Sequence, residues 1–408
     1  MTSSLPRTES TREDAPLAGV RVLDCSRVLA GPYCTVLLSF LGAEVVKVED
    51  FRGDEGRQWP PHRDGMGASF LALNANKTSI AVDLKAPEGA AIVRDLATTA
   101  DVLVENFKTG DMERFGLGFD DVAPLNPRLV YTSISAFGRR GPKAKEPGYE
   151  ALVQAYSGVM AITGDADGGP VRCGASFLDL ATGTMSALAT VTALFRREAT
   201  GRGGKAETSL LGTAMGMMCN QMSNFYQHGA QPRRLGTAHN QVVPYQVFRT
   251  RDGYVFIAAG NQNLYRRLCR AIGREELAED PRFESNPARV ANREACIGAI
   301  SAAIAGHDTK PLMAALREQG VPFSRVNEYA NLVEDGQLDA LGVIESGRGD
   351  AYPDFRIPGL PFHLSEHDRG RPVDAPRIGQ HTREILAGLG YEPARVDRLL
   401  AEDIVREP

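Results

Sequence analysis

The feature that most constrains the fold is a regular alternation of strand-like and helix-like segments over the first 200 residues. Residues 20–25 and 44–49 are apolar enough to be buried strands, and residues 33–41 between them have the composition of a helix. A strand, a helix and a second strand in this order join parallel strands by a right-handed crossover. The sequence therefore predicts an α/β fold with a parallel sheet. Later units extend the pattern, with strands at 74–85, 101–105, 129–136 and 205–211 and helices at 87–99 and 147–156.

The turn after the first strand, SRVLAGP, lacks the G-x-G-x-x-G pattern of dinucleotide-binding sheets. The prediction is a Rossmann-like topology without a nicotinamide cofactor. After Gly212 the alternation stops, and Arg251-Asp252-Gly253 between two strand-like runs indicates a hairpin in a smaller α+β domain. The predicted organisation is a disordered tail (1–16), the first part of a large Rossmann-like domain (17–211), a linker helix (212–240), a small α+β domain (241–338), and a return linker with the C-terminal part of the large domain (339–408).

Asp179 is the candidate catalytic residue. It stands at a predicted boundary between a loop and a helix, and with Thr182 and Gly183 it forms D-x-x-T-G. A run of small and apolar residues from 184 to 195 follows and predicts a buried helix. An aspartate at this position is either a helix N-cap or a nucleophilic carboxylate aimed into a dry cleft.

Charge and composition exclude several classes of protein. The net charge of −5 over 408 residues lacks the basic excess of a nucleic-acid-binding protein. No apolar run reaches the 18 or so residues that span a bilayer, and the polar start has no signal-peptide core. Six scattered cysteines without a C-x-x-C pair are typical of reduced thiols, so a cytoplasmic location is expected. Dispersed histidines predict no metal site.

Several ordered motifs resemble the class III coenzyme A transferases, the superfamily of formyl-CoA transferase, carnitine CoA-transferase and α-methylacyl-CoA racemase. The resemblance covers residues 16 to about 211 and the end of the chain, and is looser between 212 and 340. The motifs that carry it are PLAGVRVLDCSRVLAGP, LGAEVVKVE, LNANKTSIAVDLK, ADVLVENFKTG, NPRLVYTSISAFGRRGP, D-L-A-T-G and IGQHTREILAGLGY.

The resemblance implies that Asp179 is the active-site aspartate and that CoA lies along the parallel sheet as a substrate, with no permanently bound cofactor. Arg52 lies two residues from a family arginine position, where this chain has Asp50. The positions that match CoA contacts are Ala30, Arg52, Val82, Lys85, Asn106, Phe107, Lys108, Arg114 and Tyr149. Trp59 matches an active-site tryptophan of formyl-CoA transferase. Leu29 replaces that enzyme's glutamine, and its glycine loop has no clear counterpart, which argues against formate and oxalate as substrates.

Elementary chemistry agrees with a transferase. Exchange of one thioester for another needs a nucleophile that conserves the activated acyl group, in a site that excludes water. The phosphates of CoA need cations, which Lys85, Lys108 and Arg114 supply. Glu150 is either a first-turn helix acid or a second carboxylate that steers Asp179 or the acid substrate.

Two other functions remain as alternatives. A racemase needs an acid/base pair about the α-carbon, but Tyr149-Glu150 stands where the racemases have a histidine and an acid. A tyrosine with a pKa near 10 is a poor base at neutral pH. The second alternative is a non-catalytic CoA-binding protein. The acyl pocket is expected near His239 and Asn240, with small dicarboxylates such as succinate as substrates. The resemblance also implies a homodimer of two interlocked chains.

Overall fold

The structure is a computed structural model and describes residues 14–365 and 370–408. These residues form two compact units. The larger unit comprises the described residues up to Ser157, Cys173–Tyr226, and the described residues from Leu341 onward, whereas the smaller comprises Gly158–Arg172 and Gln227–Ala340. The disordered tail predicted at 1–16 lies outside the described residues except for its last three. The expected domain bounds differ from these units, because residues 158–172 join the smaller unit and residues 212–226 the larger.

The strands are, in chain order, β1 (Arg21–Asp24), β2 (Glu44–Glu49), β3 (His62–Arg63), β4 (Met66–Gly67), β5 (Lys77–Val82), β6 (Val102–Glu105), β7 (Val130–Ser135), β8 (Gly204–Ser209), β9 (Tyr245–Arg249), β10 (Tyr254–Ala258), β11 (Phe323–Arg325), β12 (Ile344–Gly347), β13 (Phe355–Pro358) and β14 (Val405–Arg406).

The α-helices are α1 (Ala30–Phe40), α2 (Ala68–Asn74), α3 (Pro87–Thr99), α4 (Asp111–Arg114), α5 (Phe119–Val122), α6 (Glu150–Ser157), α7 (Val159–Ile162), α8 (Phe177–Thr200), α9 (Leu210–Met217), α10 (Cys219–His228), α11 (Gln262–Ala271), α12 (Asn286–Ala291), α13 (Arg293–Ile304), α14 (Thr309–Glu318), α15 (Tyr329–Glu334), α16 (Gln337–Leu341), α17 (Thr382–Gly388) and α18 (Pro393–Ala401).

A seven-stranded sheet in the order β14-β5-β2-β1-β6-β7-β8 forms the centre of the larger unit. All of its strands are parallel except β14, which pairs antiparallel with β5 at the edge. Numbered along the chain, the parallel strands follow the order 3-2-1-4-5-6 of doubly wound α/β sheets. That order reverses between β1 and β6, and ligands of such sheets bind in the crevice beyond the carboxyl ends of the strands at this point. The predicted parallel α/β sheet is confirmed.

Helices cover both faces of the sheet, which explains why its central strands are buried along their whole length. On one face α1, α2 and α8 pack over residues such as Val45 and Val104. On the other, α3, α5, α17 and α18 pack over Leu23 and Leu103. The helix predicted at 33–41 begins at Ala30 instead, because Pro32 fits a first turn, where its missing N–H makes no intrahelical bond.

Helix α8 is longer than the predicted 184–195. Its 24 residues end at Thr200, and the next residue, Gly201, has the left-handed φ of 70° that favours glycine at a helix C-terminus. By length and composition alone this helix is apolar enough to cross a membrane, contrary to the expectation that no such stretch exists. One face, which includes Thr182, Gly183, Ser186 and Thr190, is buried, and α8 packs on α1.

Other sequence predictions are corrected in detail. Residues 212–228 form the end of α9 and then α10 rather than one helix, and residues 288–305 are divided at Asn292. The long irregular loop expected at 50–70 contains a 3₁₀-helix (Glu55–Gln58), the β3–β4 pair and the start of α2. The last helix ends at Ala401, and the chain then adds the edge strand β14.

The smaller unit has an antiparallel sheet in the order β11-β10-β9, in which β9 and β10 form the predicted hairpin. Its core contains Phe248, Val255 and Leu268. Arg289 is fully buried, and its guanidinium donates to the carbonyl oxygens of Val243, Gly260 and Phe283 and to the amide oxygen of Gln262. A buried cation with this many acceptors is compatible with a folded core.

Candidate active site

Asp179 lies in the first turn of α8 and is half-buried. The helix begins at Phe177, with Ser176 at the N-cap position, so the N-cap interpretation of Asp179 is wrong. A first-turn carboxylate lies near the free backbone N–H groups and the positive end of the helix dipole. The same N–H groups are suited to stabilise an oxyanion that develops beside it.

Glu150 fixes the turn that carries Asp179. It is the first residue of α6 and is buried. Its Oε1 accepts a hydrogen bond from the backbone N–H of Leu178 at 3.4 Å, and from Nε2 of Gln154 at 2.5 Å. The Oε1 of Gln154 in turn accepts from the backbone N–H of Cys173 at 3.0 Å. The Glu150 carboxylate therefore satisfies a first-turn N–H of α8 and anchors the chain just before Asp179.

The surroundings of Gly183, the last residue of D-x-x-T-G, explain why the pattern ends in glycine. A Cβ at this position would come 2.6 Å from the carbonyl oxygen of Ala30 and 3.1 Å from the Cβ of Tyr33. Only a glycine permits this approach of α8 to the start of α1. Because Gly183 follows Asp179 by one helical turn, the contact brings the first turns of α8 and α1 side by side.

The loop between β1 and α1, residues 25–29, is called the first loop here. It leads to two of the predicted site residues, Leu29, which is half-buried, and Ala30, which is buried. Asn106 and Phe107 follow β6, the neighbouring strand at the reversal point of the sheet. The Asn106 amide bonds to the backbone of Arg27, and the Arg27 guanidinium lies 4.8 Å from the centre of the Phe107 ring. The structure thus brings these four predicted residues to the carboxyl ends of adjacent strands.

Two of the predicted phosphate-binding cations, Lys85 and Arg114, line one surface cavity of about 630 Å³. Arg94 of α3 lines it too, and its Nε donates to the carbonyl oxygen of Gly116 at 3.3 Å. The sequence analysis missed Arg94. A signal was present, because Pro87, Ala90 and Arg94 have the spacing of one helical face, and all three line this cavity.

Lys108 lines a second cavity, of about 280 Å³, apart from Lys85 and Arg114. Three further cations line it, Arg139, Arg140 and Lys205. Arg139 also pairs with Glu105 at 2.7 Å. Burial raises the pKa of the Glu105 carboxyl, although Arg139 opposes the shift.

Other predicted contacts are placed less favourably. Val82 is fully buried in the sheet core, so its side chain has no surface to offer a ligand. The Arg52 side chain is 87% exposed and pairs with Asp50 at 3.2 Å. Tyr149 is 69% exposed, and Trp59 is half-buried directly after the 3₁₀-helix.

His239 and Asn240, the predicted acyl-pocket residues, lie in the smaller unit, where both are exposed. The His239 ring makes an edge contact with Tyr245 at 5.4 Å, and its Nδ1 accepts from the backbone N–H of Gln241 at 3.1 Å. The carbonyl oxygen of Asn240 accepts from Arg293 at 2.9 Å.

The larger unit is therefore a doubly wound α/β unit with a carboxylate in the first turn of a long helix. A profile of CoA-transferase family III matches residues 17–382. Succinyl-CoA:glutarate CoA-transferase of Mus musculus is 36% identical over 395 residues, which are 96% of this chain and 91% of that protein. Succinate–glutarate CoA-transferase of Agrobacterium fabrum is 37% identical over 94% of this chain and 98% of its own. The crystal structure of a CaiB/BaiF family protein from Brucella suis matches with a TM-score of 0.84 at 36% identity, over 92% of this chain and 99% of that one.

The chain belongs to CoA-transferase family III. The family expected from the sequence is confirmed, and with it the class of enzyme, a class III CoA-transferase whose substrates are CoA thioesters. The racemase and the non-catalytic alternatives are disfavoured, because the two relatives named above are CoA-transferases.

Proposed function

We propose that the protein moves CoA from an acyl-CoA donor to a carboxylic acid with Asp179 as nucleophile. The observation that carries this proposal is the position of Asp179 in the first turn of α8, with Glu150 bonded to that turn and Gly183 allowing the helix to pack closely on the start of α1. A helix start supplies N–H groups for the oxyanion of each tetrahedral intermediate.

The proposed chemistry conserves the activated acyl group at every step. A carboxylate oxygen of Asp179 attacks the donor carbonyl carbon, the C–S bond breaks, and CoA departs as the thiolate. A mixed anhydride between the donor acyl group and Asp179 remains. The thiolate then attacks the Asp179 acyl carbon, which releases the donor acid and forms an aspartyl-CoA thioester. The acceptor carboxylate attacks the aspartyl-CoA thioester, which releases CoA thiolate and forms a second mixed anhydride. Attack of this thiolate on the acceptor acyl carbon then forms the new acyl-CoA and frees Asp179.

The proposed CoA site combines the residues of the larger unit described above. Ala30 and Phe107 lie at the reversal point of the sheet, where doubly wound folds bind ligands, and the adjacent Asn106 bonds to the first loop. Lys85, Arg94 and Arg114 share one cavity and are suited to a phosphate group of CoA, and Lys108 offers a further cation. Glu150 serves as a positioning residue for Asp179. Leu29, Trp59, His239 and Asn240 remain proposed acyl-pocket residues.

Small dicarboxylates are the proposed acids, because both relatives reported above are named for transfer between succinate, or its CoA ester, and glutarate. A cytoplasmic location and an interlocked homodimer remain part of the proposal. All six cysteines are free thiols, in keeping with a reducing compartment. The larger unit contains segments of the chain from before and after most of the smaller unit, as interlocking requires.

The test is a transfer assay with succinyl-CoA and a panel of acids that includes glutarate, read by mass spectrometry. Asp179→Asn is expected to abolish transfer while leaving the fold intact, and hydroxylamine added during turnover should modify Asp179 in the wild type. Asp120→Asn alters an exposed first-turn carboxylate of α5 and is the matched control, expected to keep wild-type rates. Transfer by the Asp179→Asn variant, measured before deamidation can restore aspartate, would refute the nucleophile assignment.

A further inference from the structure

From Ser26 to Val28 the backbone of the first loop bonds to side chains, whereas at its two ends Cys25 and Leu29 bond to neighbouring backbone. Asn106 makes two of these bonds, both to Arg27. The Oδ1 of Asn106 accepts from the Arg27 N–H at 2.8 Å, and its Nδ2 donates to the Arg27 carbonyl oxygen at 2.7 Å. Each polar atom of the amide thus already makes one bond to the protein. The pairing crosses from the end of β6 to the end of β1, at the reversal point of the sheet.

Three buried charged residues hold the rest of the first loop. Oδ1 of Asp24 accepts from the backbone N–H of Ser26 at 2.9 Å, and Nζ of Lys47 donates to the Ser26 carbonyl oxygen at 3.1 Å. The Asp54 carboxylate accepts from the N–H of Val28, with Oδ2 at 3.1 Å. Lys47 and Asp54 also pair with each other at 3.1 Å, and the side chains of both are almost wholly buried. A buried ion pair in this geometry is rigid, because moving either partner would leave an unpaired charge in the core.

Val28 explains why the first loop needs this support. Its φ of 72° places it in the left-handed region, which is sterically unfavourable for a β-branched residue. Such a conformation persists only where the surroundings enforce it, and it occurs preferentially at functional sites. The bonds to Arg27 and Val28 are the ones that enforce it here. Directly after Val28 come Leu29 and Ala30, and the Ala30 carbonyl oxygen faces Gly183 of the proposed catalytic helix.

We propose that Asn106 is a positioning residue, which holds the first loop in its strained conformation so that the start of α1 is placed beside the turn carrying Asp179. This inference rests on the proposed function of Asp179. It differs from the role implied by the family resemblance, in which Asn106 contacts CoA directly. In the positioning role Asn106 acts through Arg27 and Val28 on the geometry of the reacting groups. Its loss therefore lowers kcat and leaves the affinity for CoA nearly unchanged.

The test combines Asn106→Ala with Val28→Gly, singly and together, in the complete enzyme. Loss of the two hydrogen bonds to Arg27 is expected to lower kcat about tenfold, because the first loop is then free to leave its strained conformation. Free CoA should still bind with a Kd within about twofold of the wild type, because its contacts are not those removed. Glycine adopts positive φ without steric cost, so adding Val28→Gly to Asn106→Ala should restore kcat about threefold or more. A contact between Asn106 and CoA cannot be restored by a change at residue 28.

Asn126→Ala is the matched control. The Asn126 amide likewise bonds to backbone, donating to the carbonyl oxygens of Ala97 and Ala100 at 3.0 and 2.7 Å at the end of α3. Its loss should lower the melting temperature and leave kcat unchanged. Asn106→Asp is the second variant if Asn106→Ala does not fold. It keeps the side-chain shape but sets a carboxylate oxygen against the Arg27 carbonyl, so kcat should again fall and Val28→Gly should again restore it.

Two results would overturn the positioning role. One is a higher Kd for CoA at unchanged kcat, and the other is a Val28→Gly substitution that restores nothing in either Asn106 variant. Failure of the proposed function is a separate outcome. In that case the wild type itself would not exchange CoA between succinyl-CoA and any acid of the panel, or Asp179→Asn would remain active.

Discussion

At the scale of single residues, the proposed CoA site predicts that Lys85, Arg94 and Arg114 of one cavity each contribute to the affinity for CoA. We expect the alanine variants of all three to raise KM for acyl-CoA about tenfold or more and to change kcat less, because hydrogen bonds from cations to phosphate are among the stronger ones and persist from ground state to transition state. Steady-state kinetics at varied acyl-CoA measures this. Arg128→Ala, at an exposed arginine elsewhere on the larger unit, is the control. A fall in kcat alone for the three variants would contradict a phosphate-binding role.

Two substitutions distinguish a positioning role of Glu150 from a direct role in the reaction. Glutamine keeps an oxygen that accepts from the Leu178 N–H, whereas alanine leaves this first-turn group without its partner. If Glu150 only positions the turn, Glu150→Gln should keep most of kcat, and Glu150→Ala should lose activity and about 1 kcal/mol of stability, as the loss of a helix cap does. Steady-state kinetics measures kcat of both variants, and thermal unfolding measures their stability. Equal inactivation of both variants at unchanged stability would assign Glu150 to the chemistry.

At the scale of elements, the contact between α8 and α1 depends on the absence of a side chain at Gly183. The Cβ of Gly183→Ala would overlap the Ala30 carbonyl oxygen at 2.6 Å, so the helices must separate. We expect a loss of about 1–3 kcal/mol of stability, typical of overpacking, and a kcat reduced by at least about tenfold, because Asp179 moves with its helix.

Gly298→Ala is a matched control for this substitution, because Gly298 lies in the middle of α13, and no atom of another segment comes within 4 Å of the place that an added Cβ would take. Alanine there should raise stability by about 0.5–1 kcal/mol, since glycine is a poor helix former. Chemical denaturation measures both variants. Wild-type kcat in Gly183→Ala would show that the close approach of the two helices does not serve the site.

At the scale of the whole molecule, large apolar side chains remain exposed on three helices that pack against one another in the larger unit, α6, α8 and α9. Leu152 is 54% exposed, Leu188 59%, and Phe195 81%. Large apolar side chains left exposed on adjoining helices are typical of an interface. We therefore expect a homodimer that stays dimeric at nanomolar concentration in sedimentation experiments, because interlocked chains cannot separate without unfolding.

The corresponding variant is Phe195→Glu, which should impair assembly because it introduces a charge into that surface. Leu125→Glu alters an apolar residue of similar exposure to Leu152, outside the three helices, and should leave the dimer intact. A stable, folded monomer of the wild type at low concentration would contradict the interlocked arrangement.

The sequence alone determined the parallel sheet and the family, and it predicted the candidate carboxylate, Asp179. Strand β2 and helix α3 were predicted with their observed bounds, because the valines of β2 favour a strand and Pro87 marks a helix start. The D-x-x-T-G pattern and the motifs around it predicted the family. Local patterns carry such information, since they reflect how each segment meets the core.

The tertiary structure decided which side chains meet, since a contact such as Asn106 to Arg27 joins residues far apart in sequence and leaves no local pattern. It showed that the side chain of Val82 is buried, because strand β5 is covered on both faces. It added Arg94, because α3 presents that residue to the cavity of Lys85 and Arg114. It also showed the strained Val28 and the buried pair of Lys47 and Asp54, whose positions depend on the packing of several strands at once.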